Sequence, residues 1–185
     1  KNAAALNFDL NTKDKNGLTG FHYACKRGHL DVVKLFMENA AALSIDLNAI
    51  LENGLTGFHY ACKRGHLDVV KIFIENAAGL SIDLNVKSEL GLTAFHLACF
   101  CGHLDVVKIL LRRVDCQVNR AGEEGFTALM HSCSRGRSEC VQVLLQHQNI
   151  DINLKNVKGE AATKLARDQN YLDIVRMLEA HAKKN

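Results

Sequence analysis

The chain has 185 residues, 48% of them hydrophobic and 23% charged, with a net charge of +3. That is enough apolar material for a core. The positive excess is too small to argue for nucleic acid or an anionic membrane as partner, and no apolar run approaches the roughly 18 residues that a bilayer-spanning helix needs.

In chain order, residues 1–11 (KNAAALNFDLN) come back as 38–48 (ENAAALSIDLN) and 75–85 (ENAAGLSIDLN). The first stretch therefore reads as the tail of a truncated unit, and the sequence as a piece of a longer array. Gly17 to Lys34 is identical to Gly54 to Lys71, and Gly91 to Lys108 is a close third copy. Weaker copies begin at Gly125 and Gly159, so successive starts lie 37, 37, 34 and 34 residues apart. A fixed period of this size predicts small units that bury their apolar faces only against one another.

Within one unit, Asn11 to Gly17 (NTKDKNG) is polar and ends in Asn-Gly, a turn signal. Thr19 is placed as an N-cap. Phe21, Ala24 and Cys25 then share one helical face, and Gly28 ends the short helix in a left-handed C′ position. Asp31 favours the start of a second helix through the dipole. There Val33, Phe36, Met37, Ala40 and Ala41 form an apolar stripe. Ser44 to Asn48 returns the chain to the next turn.

These residues resemble the ankyrin repeat. Gly17, Thr19, Phe21, His22, Ala24, Gly28, His29, Val32, Val33, Asp46 and Asn48 match its pattern, and the second and third copies match at the corresponding positions. The resemblance covers nearly the whole chain. It implies an all-α solenoid of stacked helix-turn-helix units with β-hairpin-like turns. The expected organisation is a single domain over 1–185: the tail 1–11, repeats at 12–48, 49–85, 86–119 and 120–153, and a more polar C-terminal cap at 154–185.

The departures carry their own expectations. The family's proline after Thr is Gly20, Gly57, Ala94, Ala128 and Ala162 here. Glycine at a first helical position costs roughly 0.5–1 kcal/mol relative to Ala, so the first two short helices should start less firmly. Four extra residues fall in 40–44 and 77–81. Four residues make about one helical turn, which predicts a second helix lengthened by a turn. Met130 and Arg137 stand where other units carry histidine, so the fourth unit should lack the bonds those histidines make.

Candidate chemistry is sparse. The histidines at 22, 59 and 96, and at 29, 66 and 103, recur once per unit, and duplication of this kind reads as structural. The resemblance implies that the first set bonds to the turn and to the neighbouring unit. Cys99, Cys101 and His103 form a C-x-C-x-H cluster that lacks the spacing and fourth ligand zinc wants. An exposed Cys101 near Lys63 or Arg64 would be a reactive thiol. Four of the seven cysteines recur at one slot, about 10 Å apart in a helical stack, too far for a disulfide. With no glycosylation sequon, this favours a cytoplasmic setting, with the nucleus as the alternative. No phosphate loop or catalytic motif appears, so neither enzyme activity, cofactor nor metal is expected.

What remains is surface. The resemblance implies a concave groove and turn tips that bind proteins, and slot by slot this selects Tyr23, Lys26, Arg27, Tyr60, Lys63, Arg64, Leu90, Leu92, Phe100, Phe126 and Arg135. The first two units are basic there; the third and fourth are apolar. The expected partner is a protein with acidic and apolar elements, not nucleic acid or membrane, and the oligomeric state is open. Leu18, Leu55, Leu92 and Phe126 have a competing reading, packing tip against tip. A passive spacer, or the targeting region of a larger protein, are the alternatives to a binding module. Asn153, preceded by Asp151 and Ile152 with Leu145 upstream, resembles the ankyrin asparagines that an oxygen-dependent hydroxylase modifies.

Overall fold

The first four short helices begin at a threonine for a reason that the local hydrogen bonds make plain, and the fifth begins at Ala161 without a side-chain cap. In the computed structural model, which describes residues 9–113 and 115–184, Thr19 caps α1 (Gly20–Arg27) by accepting the His22 N–H on Oγ at 3.4 Å. His22 returns the bond, its Nδ1 accepting the Thr19 N–H at 3.3 Å. This is a capping box with imidazole in the place of the usual carboxylate or carboxamide. Thr56 and His59 repeat it at α3 (Gly57–Arg64), and Thr93 and His96 at α5 (Ala94–Cys101). An accepting Nδ1 fixes the proton on Nε2, which donates to the Ala49 carbonyl at 3.0 Å in the first case and to the Arg120 carbonyl at 2.8 Å in the third. The first-slot histidines thus fasten the helix start to a later turn.

Gly28, Gly65 and Gly102 end these helices at φ 73°, 75° and 83°. A second helix follows each: α2 (Leu30–Glu38), α4 (Leu67–Asn76) and α6 (Leu104–Leu111), the first two longer than their partners and the third of equal length. The pairs α7 (Ala128–Ser134) with α8 (Ser138–Leu144) and α9 (Ala162–Asp168) with α10 (Leu172–Ala182) complete ten helices among the described residues. Among the described residues no extended strand accompanies them; the turn before α7 carries one isolated antiparallel bridge, Ala121 to Thr127. The truncated unit expected at 1–11 lies mostly outside the described residues.

The chain forms two compact units, Lys1–Glu89 and Leu90–Asn185. In the first, α1 packs on α3 and α2 on α4 around Phe21, Phe58 and Phe73, whose rings lie 5.1–5.8 Å apart in the pairs Phe58–Phe73 and Phe21–Phe73. In the second, α5, α7 and α9 pack in series, backed by α6, α8 and α10, over Leu110, Leu129, Leu144, Ile174 and Leu178. Adjacent turns are joined by single backbone bonds: Glu89 N–H to Asn53 O in the first unit, and Glu123 N–H to Leu90 O and Val157 N–H to Glu124 O in the second.

Three points go beyond the sequence reading: the first adds to an expectation, and the other two correct one. The glycines at the first helical positions answer to packing: Gly57 is buried, and a Cβ there would lie 2.9 Å from Cys25 Sγ and 3.2 Å from the Phe21 ring, while one on Gly20 would lie 3.3 Å from Phe36 Cζ. Where the outer helix carries Phe36 or Phe73 the inner one starts with Gly; where it carries Leu110 or Leu144 the inner one starts with Ala. Second, the inserted residues do not lengthen α2. Asn39 Nδ2 donates to the Leu35 carbonyl, and residues 39–44 then wind as a separate turn, closed by Ser44 at φ 51° and an Ile45 N–H to Ala40 O bond. Asn76, Ser81 and Ile82 repeat this after α4. That 6→1 bond with a left-handed residue is how helices end. Third, Arg137 does not lose the second-slot bond. Its Nε–H donates to the Phe100 carbonyl at 3.2 Å, as His66 Nε2 bonds the Lys26 carbonyl at 3.1 Å. Met130 does lack a side-chain partner, although Thr127 still accepts its N–H.

Candidate functional site

In the first unit the last turns of α1 and α3 carry Lys26 and Arg27, and Lys63 and Arg64. Cations at helix C-termini are favoured by the dipole. Arg27, Lys63 and Arg64 are exposed and Lys26 is half-buried, its ammonium 5.4 Å from the centroid of Tyr60. Among the described residues no acid pairs with Lys26, Arg27 or Arg64. Tyr60 itself is buried, edge-on to His22, so it offers this surface little beyond a support for Lys26. Tyr23 is exposed and donates its hydroxyl to Asp14 at 2.7 Å; that bond, with the Leu18 and Asn16 N–H groups, holds the Asp14 carboxyl down at about 2.

The second unit presents a different surface. Leu90, Leu92, Gly122, Glu123, Glu124, Phe126 and His131 line a hollow of about 430 Å³. A second of about 390 Å³ adjoins it across the shared Glu124, Phe126 and His131, and is walled by Phe100, Ser134, Arg135 and Gln169. Its floor is aromatic: His131 lies 5.3 Å from the Phe126 ring and 5.7 Å from the Phe100 ring. The Arg135 guanidinium sits 4.2 Å over Phe100, close enough for a cation–π contact. Leu90 is 61% exposed.

His131 was not among the residues that the slot-by-slot reading selected. It occupies the slot of Tyr23, Tyr60 and Leu97, one place beyond the capping histidines, and an imidazole out of register with its fellows is the signal that could have singled it out. Its Nε2 is buried without a hydrogen-bond partner among the described residues. Burial, with His96 and the Arg135 charge nearby, pushes its pKa down to about 4, so the ring is neutral at physiological pH. Glu123 and Glu124 at the rim are exposed, and neither forms an ion pair among the described residues.

The tip residues divide. Leu18 and Leu55 are buried, whereas Leu92 and Phe126 are half-buried and line the hollow, Leu92 also abutting Gly122 of the next turn. Cys99 is fully buried and Cys101 half-buried. Burial pushes the Cys133 thiol up to about 12 and the Cys140 thiol up to about 11. No described cluster of His, Cys, Asp and Glu has the makings of a metal site, and no described helix is long and apolar enough to cross a membrane. Asn153 is exposed, with its N–H donated to Asp151 Oδ1 at 2.8 Å.

A family model described as ankyrin repeats matches the chain in three overlapping copies, at residues 3–86, 41–121 and 112–185. Among curated proteins none matches.

Proposed function

The chain belongs to the ankyrin-repeat family, whose members generally act as protein-interaction modules, and from that premise we propose that it binds a protein partner and performs no chemistry of its own. The observation that carries this reading is the pair of adjoining hollows around Phe126 and His131, with Leu90 standing open beside them. Exposed apolar side chains gathered in one place mark interfaces, and anchors in such hollows dominate binding energy. Phe100, Phe126, Leu90, Leu92 and Arg135 are the contact residues in the second unit.

In the first unit, Lys26, Arg27, Lys63 and Arg64, with Tyr23 beside them, favour an acidic stretch of the partner. Exposed charges of this kind set on-rate and salt dependence more than affinity. Selection of a displayed peptide library on the whole chain tests the proposal. Enriched peptides should lose binding to the Phe126→Ala chain or to the Lys63→Glu/Arg64→Glu chain, the latter with its melting temperature unchanged. A passive spacer would enrich nothing.

A further inference from the structure

Resting on that interaction reading, we infer that the hollow at Leu90, Leu92 and Phe126 seats one aromatic or long aliphatic side chain of the partner, followed directly by an arginine or lysine. The walls specify the first element. Leu90, Leu92 and Phe126 are apolar, and the floor is the uncharged ring of His131. A volume of about 430 Å³ lies at the lower end of the range for ligand pockets, roughly 300–1,000 Å³. That holds a side chain and its neighbouring backbone, not an extended fold.

The rim specifies the second element. Glu123 and Glu124 both line the hollow, both are exposed, and neither has a cationic partner among the described residues. Their backbones are pinned by the Glu123 N–H to Leu90 O and Val157 N–H to Glu124 O bonds, so the turn that carries the two carboxylates is held at the hollow. Arg135 lines the adjoining hollow and is stacked on Phe100. A partner cation beside the apolar anchor therefore meets two unpaired acids, while a partner carboxylate there meets repulsion. Misplaced like charges of this kind give specificity. The partner so described has a basic, apolar element for the second unit, distinct from the acidic stretch suited to Lys63 and Arg64.

The test uses the whole chain, labelled with nitrogen-15, and three capped hexapeptides: Ser-Gly-Phe-Arg-Gly-Ser, its Phe-Glu counterpart and its Ala-Arg counterpart. The Phe-Arg peptide should shift amides between Gly122 and Arg135 and bind about tenfold more tightly than either of the others. The doublet Glu123→Gln/Glu124→Gln, which alters only exposed side chains, should bring the Phe-Arg and Phe-Glu peptides to equal affinity. Equal affinities on the unaltered chain, no binding of the Phe-Arg peptide, or shifts confined to the ends of α1 and α3 would each overturn the inference. Should the library selection still yield peptides that depend on Lys63 and Arg64, the interaction reading stands and this one alone falls.

Discussion

Gly57 faces Cys25 so closely that a Cβ built on it would stand 2.9 Å from the Cys25 sulfur. Helix propensity alone favours Gly57→Ala by roughly 0.5–1 kcal/mol. Overpacking a filled interior costs roughly 1–3 kcal/mol, and both Gly57 and Cys25 are buried. The steric effect wins, and Gly57→Ala should destabilise by about 1 kcal/mol in urea denaturation. Adding Cys25→Ala to it should cost less than Cys25→Ala does in the unaltered chain, because the new methyl fills the space the sulfur left. Simple additivity of the two changes would show that the contact is not the cause.

The bond from Arg137 to the Phe100 carbonyl is a second point where side-chain chemistry differs and geometry does not. Arg137→Ala removes the donor and should cost about 1 kcal/mol. Arg137→His should restore most of it, since His66 makes the equivalent bond from the equivalent slot. A histidine variant no more stable than the alanine variant would mean that guanidinium packing across Gly102, whose Cβ position lies 2.6 Å from Arg137 Cδ, matters more than the donor.

These cases mark how far the sequence could be read. The Thr-x-x-His and Gly-His signatures located the first three helix pairs, because caps and left-handed glycines act within a few residues; the last two pairs were found by weaker matches to the same repeat. Arg137 was misjudged because a guanidinium shares no pattern with imidazole, only reach and a donor. The packing role of Gly57 was missed because its cost is local and its benefit lies in another repeat. Leu18 and Leu92 occupy one slot yet differ in burial, a distinction that spacing cannot carry. The basic residues at the ends of α1 and α3 were legible because helix termini in this motif reach the surface. The hollow at Phe126 was legible only as scattered apolar residues, without His131 beneath them.

Stability should fall in mild acid. Burial lowers the pKa of His22, and His131 is brought from 6.5 to about 4. Both folded values lie below those of the unfolded chain. As pH drops below about 6.5, the unfolded chain takes up protons that the folded one refuses, so stability present at neutral pH is lost down to the folded pKa, near 4 for His131. Urea midpoints across that window should decline. His131→Leu, which removes one of the two groups and the orphaned Nε2, should decline less steeply; parallel slopes for the two chains would acquit His131.

Asn153 is the asparagine at the end of a ladder. Asn11 Nδ2 donates to the Ser44 carbonyl, Asn48 Nδ2 to the Ser81 carbonyl at 3.1 Å, and Asn119 Nδ2 to the Asn149 carbonyl at 2.5 Å. Asn119 Oδ1 also accepts the Asp151 N–H at 2.9 Å. Each carboxamide ties its loop to the corresponding loop one repeat later. Asn153 makes no such side-chain bond among the described residues, and its amide is exposed. A hydroxylase must draw the asparagine out into its own site, which costs the inter-repeat bonds at Asn48 and Asn119 and nothing comparable at Asn153. Treated with an asparaginyl hydroxylase of the kind that modifies ankyrin hairpins, the chain should gain one oxygen at Asn153 before Asn48 or Asn119, as read by peptide mass mapping. Equal modification at the three positions would show that these tethers do not govern access.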